Sequence, residues 1–219
     1  MSGGRVTLGL GVGGEFPQEF AACGVPVEER GRRADEALAL LRHLWSGAPG
    51  AFEGRYYPVP ALTLLPRPVQ PGGPPVWIGG RSDAALRRAA RLAEGWLAYM
   101  VTPQRFREGM DRARAWAAEA GRDPARLVGA LFIYFHVGPH DTARQTSIDY
   151  LAASYRQPFD KLVDRYCLMG DAAACAAGLQ PFVDAGVTHF VLVPACQPAD
   201  LLRQVERCAE VVALARKGS

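Results

Sequence analysis

Pro75-Val76-Trp77-Ile78-Gly79-Gly80-Arg81-Ser82 is a short apolar run that ends on two glycines and a hydroxyl residue. Its β-prone residues predict a strand over Pro75–Ile78, and Ser82 is placed to cap a helix behind the glycine turn. The helix would bury Leu86, Ala89, Ala90 and Ala93, which recur at helical spacing. Gly95–Val101 then reads as the next strand. Strand, glycine turn, helix and strand in succession make one βαβ unit, whose two strands lie parallel.

The same rhythm extends in both directions. Upstream, Val6–Val12 reads as a strand, followed by a helix from about Pro26 to Trp45 with Ala34, Leu38, Leu41 and Trp45 on one face and Gly47 as its stop. Downstream, Thr102-Pro103 opens a helix that carries Phe106, Met110, Ala113 and Ala117 and ends at Gly121. Leu127–Val137 is the most β-prone stretch. Helices over Asp141–Tyr155 and Asp171–Ala185, a strand over Val187–Val193 and a helix over Pro198–Ala215 complete the chain. About five parallel strands alternating with helices make the class α/β. The segment 47–74 breaks the pattern with seven of the seventeen prolines, and it reads as an insertion loop. Such a loop could cover an active site or serve as a structural wrap.

Composition narrows the function. The 219 residues carry a net charge of +3, too little to suggest a nucleic-acid partner. Lys161 and Lys217 are the only lysines, so the basic charge is an arginine bias rather than a phosphate-binding patch. Five cysteines without CxxC or metal-ligand spacing read as reduced thiols of a cytoplasmic protein, with no metal site. The N-terminus lacks the apolar core of a signal peptide, and the longest apolar stretch, Leu127–Val137, falls short of the ~20 residues that cross a bilayer. No membrane association is expected.

Gly9, Gly11 and Gly14 match GxGxxG, but the next helix is expected about ten residues further on, too far for its N-terminus to meet a pyrophosphate. The run reads better as a strand whose C-terminal end is bare backbone, open to something planar or bulky, with a glycine-rich strand that binds nothing as the alternative. Gly79-Gly80-Arg81-Ser82 reads equally as an anion-binding turn at a helix start or as a plain tight turn. Glu15 and Glu19 follow the first strand, and His136 lies near the end of the fourth, with its facing undetermined. No Ser/His/Asp order, HExxH or P-loop is present, which favours an organic cofactor as the source of reactivity.

In order along the chain, LGLGVGGEFPQEF, GVPVEERGRRADEALALLRHLW, FEGRYY, LLPRPVQ, PPVWIGGRSDAALRRAARLAEGW and DAGVTHFVLVP resemble the bacterial luciferase-like family of flavin- and deazaflavin-dependent oxidoreductases. The resemblance implies an incomplete (β/α)8 TIM barrel formed as a single domain over residues 1–219, with a site at the C-terminal ends of its strands. It implies 8-hydroxy-5-deazaflavin (coenzyme F-420) or FMN as cofactor. Gly11, Val12 and Gly13 would lie beside the ring, and Gly79, Gly80, Arg81 and Ser82 would hold the phosphate. Tyr99 and Met100 would line the pocket of a small-molecule substrate, and Glu15, Glu19 and His136 are the candidates for acid–base work.

With the deazaflavin, the implied reaction is hydride transfer to or from a carbonyl, alcohol or imine carbon. With FMN, it is oxygenation by reduced flavin and oxygen. The counterpart of the family's first three strands is missing, so a homo-oligomer covering the open barrel edge is expected. The alternative is a non-catalytic barrel remnant that binds flavin weakly or serves as an assembly partner. A phosphate-binding barrel would explain the glycine turn alone.

Overall fold

The computed structural model describes residues 2–217, with no side-chain placement for Lys217; the ends of the expected 1–219 domain lie outside the described residues. Parallel strands alternate with helices, as in part of a (β/α)8 barrel. Contacts divide the chain into two compact units. One holds the chain up to Trp96 together with Ala113–Leu127; the other holds Leu97–Arg112 and the chain from Val128 onward.

In the first unit, β1 (Leu8–Leu10) pairs in parallel with β4 (Val76–Gly79), Leu8 opposite Val76 and Leu10 opposite Ile78. Val76 and Ile78 are fully buried because α3 (Asp83–Leu92) lays Ala85, Leu86, Ala89 and Ala90 over β4. Ser82 caps α3 as expected, its Oγ accepting from the Ala85 amide at 3.3 Å. Glu94 ties down the start of β4, accepting from the Val76 amide at 2.8 Å and from Arg42 at 2.8 Å.

Three expectations change here. The strand expected over Val6–Val12 is only Leu8–Leu10, since glycines 9, 11, 13 and 14 offer little to pack and the last two turn into left-handed backbone. A short helix, α1 (Pro17–Ala22), begins three residues after Gly14 instead of ten; Pro17 starts it, and none of its residues is buried, so it left no periodic signal. The long helix α2 spans Arg30–Ser46, entered through a 3-10 turn at Val27–Glu29, and Gly47 ends it in the left-handed conformation.

The proline-rich segment is also not all loop. It holds an antiparallel pair, β2 (Gly50–Phe52) and β3 (Val59–Leu62), which the prolines at 58 and 60 concealed. Its turn is fastened to α2 by Glu36, whose carboxylate accepts the amides of Arg55, Tyr56 and Tyr57 at 3.0, 2.7 and 2.8 Å. Desolvation works to raise that carboxyl, and the three amide donors outweigh it, so it titrates below its ordinary range.

β5 (Gly95–Tyr99) and α4 (Pro103–Glu119) each contribute residues to both units. In the second unit, β6 (Val128–Val137) pairs in parallel with β7 (Cys167–Gly170) and with β8 (His189–Pro194). β7 is a strand beyond the five expected; its four residues follow a single helical turn, α6 (Val163–Tyr166), and are too few to show alternation. Helices α5 (His140–Tyr155), α7 (Ala172–Asp184) and α8 (Leu201–Lys217) complete the unit. Gln204 of α8 is buried and grips the end of β6, accepting from the Val137 amide at 2.8 Å and donating to the Val137 carbonyl at 3.0 Å.

Candidate functional site

The C-terminal ends of β1 and β4 bring together the two glycine segments singled out in the sequence. A side chain on Gly79 would lie 3.6 Å from the Leu10 carbonyl oxygen and 3.7 Å from the Gly11 α-carbon. Gly11 itself is exposed, and a Cβ there would meet nothing within 4 Å. The bare strand end therefore offers a flat group direct approach to the backbone.

Gly80 has φ +129°, and a Cβ on it would sit 2.8 Å from the Ala85 methyl, so the turn into α3 requires glycine. The Trp96 indole N–H donates to the Gly80 carbonyl at 2.6 Å, which holds the turn in place. Arg81 and Ser82 are exposed at the start of the ten-residue α3. Glycine backbone, a guanidinium and a helix start with its positive dipole end are the donor set a phosphate needs. The residues present thus fit a planar ring at one segment and a phosphate at the other.

Beside β1 opens a cleft of ≈ 480 Å³. Leu10, Gly11, Val12 and Gly13 form one wall, and α1, α2, Cys23 and Val25 between them, and Tyr57 form the rest. Glu19 lines this cleft. Glu15 is exposed just beyond β1.

Tyr99 ends β5 and Met100 follows it, and both are half-buried. Met100 has φ +48°, a left-handed conformation uncommon for a side-chain-bearing residue. It packs on a buried cluster that includes Tyr134, Phe159 and Ala195. There the hydroxyls of Tyr134 and Tyr155 lie 3.0 Å apart, and burial, helped by Tyr155, pushes the Tyr134 phenol above its ordinary value. The facing of His136 is inward: it is buried, with Nδ1 2.9 Å from the Ala195 carbonyl oxygen.

Sequence reasoning missed Trp96, Arg30 and the tyrosine pair. Trp96 had a local signal, an aromatic directly after the glycine that opens the next strand. Tyr134 and Tyr155 are 21 residues apart on different elements, and nothing local announces their meeting. Among the described residues no three His, Cys, Asp or Glu could hold a metal ion, and no helix is long and apolar enough to cross a membrane.

Comparison with known proteins gives a consistent picture. An uncharacterised protein of Mycobacterium tuberculosis is 38% identical over 120 residues, which is 55% of this chain and 40% of the relative. An F420-dependent glucose-6-phosphate dehydrogenase of Kineococcus radiotolerans is 27% identical, over 97% of this chain and 69% of the relative. The chain thus spans 40% of the first relative's length and about two thirds of the second's. Among solved structures, an F420-dependent secondary alcohol dehydrogenase in complex with an F420-acetone adduct superposes with TM-score 0.80 at 21% identity. That match covers 97% of this chain and 70% of the other and shows the shared fold. The family model for luciferase-like monooxygenases matches residues 1–189. On that match, this chain is a member of the luciferase-like monooxygenase family.

Proposed function

We propose that the chain is a flavin- or deazaflavin-dependent oxidoreductase acting on a small organic substrate. The observation that carries this reading is that β1 and β4 pair in parallel with Leu10 opposite Ile78, so that a side chain on Gly79 would lie within 4 Å of Leu10 and Gly11 and the two glycine ends stand side by side. Gly11, Val12 and Gly13 would lie against the ring, and Gly79, Gly80, Arg81 and Ser82 would hold the phosphate. The deazaflavin relatives favour 8-hydroxy-5-deazaflavin, and the family's monooxygenases keep FMN as the other choice. When bound, such a group supplies hydride transfer or reaction with oxygen.

The chain's own residues orient and exclude water. Trp96 fixes the Gly80 carbonyl and with it the phosphate turn. Tyr99 and Met100 would face substrate, with Met100 held by the cluster around Tyr134. Of the acid–base candidates, Glu19 is best placed to move a proton, because it lines the cleft beside Gly11. Glu15 stands outside that cleft's lining, and His136 has Nδ1 committed to the Ala195 carbonyl. We read the protein as cytoplasmic and self-associating through β1, whose outer edge pairs with no other strand among the described residues.

Titration of the purified chain with FMN and with the deazaflavin, followed by cofactor fluorescence, tests this reading. Saturable binding of one in the micromolar range is expected; binding of neither overturns it. Light scattering tests the association, which a monodisperse monomer would exclude.

A further inference from the structure

The cleft beside β1 is mostly apolar, with Leu10, Val12, Phe20, Val25, Ala34 and Ala37 in its lining, yet it also contains Arg30 and Arg33. The two arginines differ. Arg33 is neutralised by Glu29 at 2.9 Å and lies over the Tyr56 ring, 4.5 Å from its centroid. Arg30 is half-buried and donates one N–H to the Val27 carbonyl at 2.8 Å, with no carboxylate partner among the described residues. Glu19, the carboxylate in the lining, is exposed and makes no ion pair with it.

Arg30 is also the first residue of α2, where a cation opposes the helix dipole, so helix stability does not explain it. The strand end makes room for it: Gly14 has φ +115°, and a Cβ there would come within 2.9 Å of the Arg30 Nε. The third glycine of the GxGxxG run thus lets a guanidinium lie along the end of β1. A half-buried cation in the lining of a mostly apolar cleft, with no carboxylate beside it among the described residues, is matched by an anion with an apolar body. The volume, ≈ 480 Å³, is that of a small-molecule site.

We infer that this cleft binds an amphiphilic organic acid, its carboxylate on Arg30 and its apolar part between β1 and α2. The inference is one of binding and stands apart from the oxidoreductase reading.

Calorimetric titration of the full chain with octanoate and with octanol, its uncharged counterpart, provides the test. Octanoate should bind about tenfold or more tightly than octanol, the margin of a charge-assisted hydrogen bond, and added salt should erode only the octanoate affinity. Arg30→Gln should bring octanoate down to the octanol value, while Ala37→Phe should weaken both by filling the cleft. Octanoate binding no tighter than octanol, a preference untouched by Arg30→Gln, or no binding of either overturns the inference. The salt dependence decides the matter in the unmodified protein should a variant fold poorly. The outcome is separable from the cofactor titration: a charge-dependent octanoate site without flavin or deazaflavin binding would sink the oxidoreductase reading and leave this one standing.

Discussion

β1 and β6 are both parallel strands that run into glycine, and they are built for opposite purposes. β1 is three residues long, none of them buried, and it ends in exposed Gly11 and Gly13. β6 is ten residues long with eight buried, paired on β7 and β8 and clamped at its end by Gln204. A strand buried on both faces holds its unit together through packing, and its end can hardly move or accept a ligand. A short strand with a bare end contributes little packing and leaves its backbone open to a partner molecule. Packing and open backbone thus belong to different strands.

Substitution can break that contrast, and the largest effect belongs to β6. Phe135, 1% exposed, should cost about 3–5 kcal/mol as Phe135→Ala, seen as a lower urea midpoint. Gln204→Leu should cost about 2 kcal/mol in the same measurement, because it strands the Val137 amide that the Gln204 side chain satisfies.

Next comes a pH effect on the same unit. Burial pushes the Cys167 thiol up to about 12 and that of Cys175 up to about 11. Unfolded thiols ionise near 8.5, so the folded state keeps protons that the unfolded state loses. Their contribution is fully present below about pH 8.5 and should be lost as pH rises through 8.5 toward 11 and above. Urea midpoints across that range check the decline. Labelling at pH 8 sharpens the comparison: exposed Cys23 should react in the native protein, and Cys167 and Cys175 only on unfolding.

The smallest stability effect belongs to the strand end. Gly11→Ala should leave the midpoint within about 0.5 kcal/mol, since its Cβ meets nothing. The same change should weaken binding of the deazaflavin or FMN by about tenfold if the ring lies on that backbone. Unchanged cofactor affinity would separate Gly11 from the ring.

Legibility followed how local each feature is. The helix face Leu86, Ala89 and Ala90, the Ser82 cap and the Gly47 stop stood in the sequence, since periodicity and capping act within a turn or two; Ala93 is buried as expected but lies just past the helix end. α1, β7 and the β2–β3 pair did not, because each is too short or too rich in proline to leave a period. Gly11 was legible as part of a bare strand end and Gly79 as part of a glycine turn, but their closeness depends on the parallel register of β1 with β4. Arg30 was hidden as one arginine among four in residues 30–42, and Tyr134 and Tyr155 as aromatic residues of ordinary core spacing.

What the sequence by itself determined is the alternation of strands and helices, the family and the glycine positions, all of which local patterning and ordered motifs encode. Tertiary structure alone decided which strand ends lie side by side, that His136 turns inward to the Ala195 carbonyl, and that Arg30 has no counter-charge among the described residues beside an apolar cleft. Those outcomes depend on contacts between residues far apart in the chain, and a guanidinium's partner or lack of one exists only once the chain has folded around it.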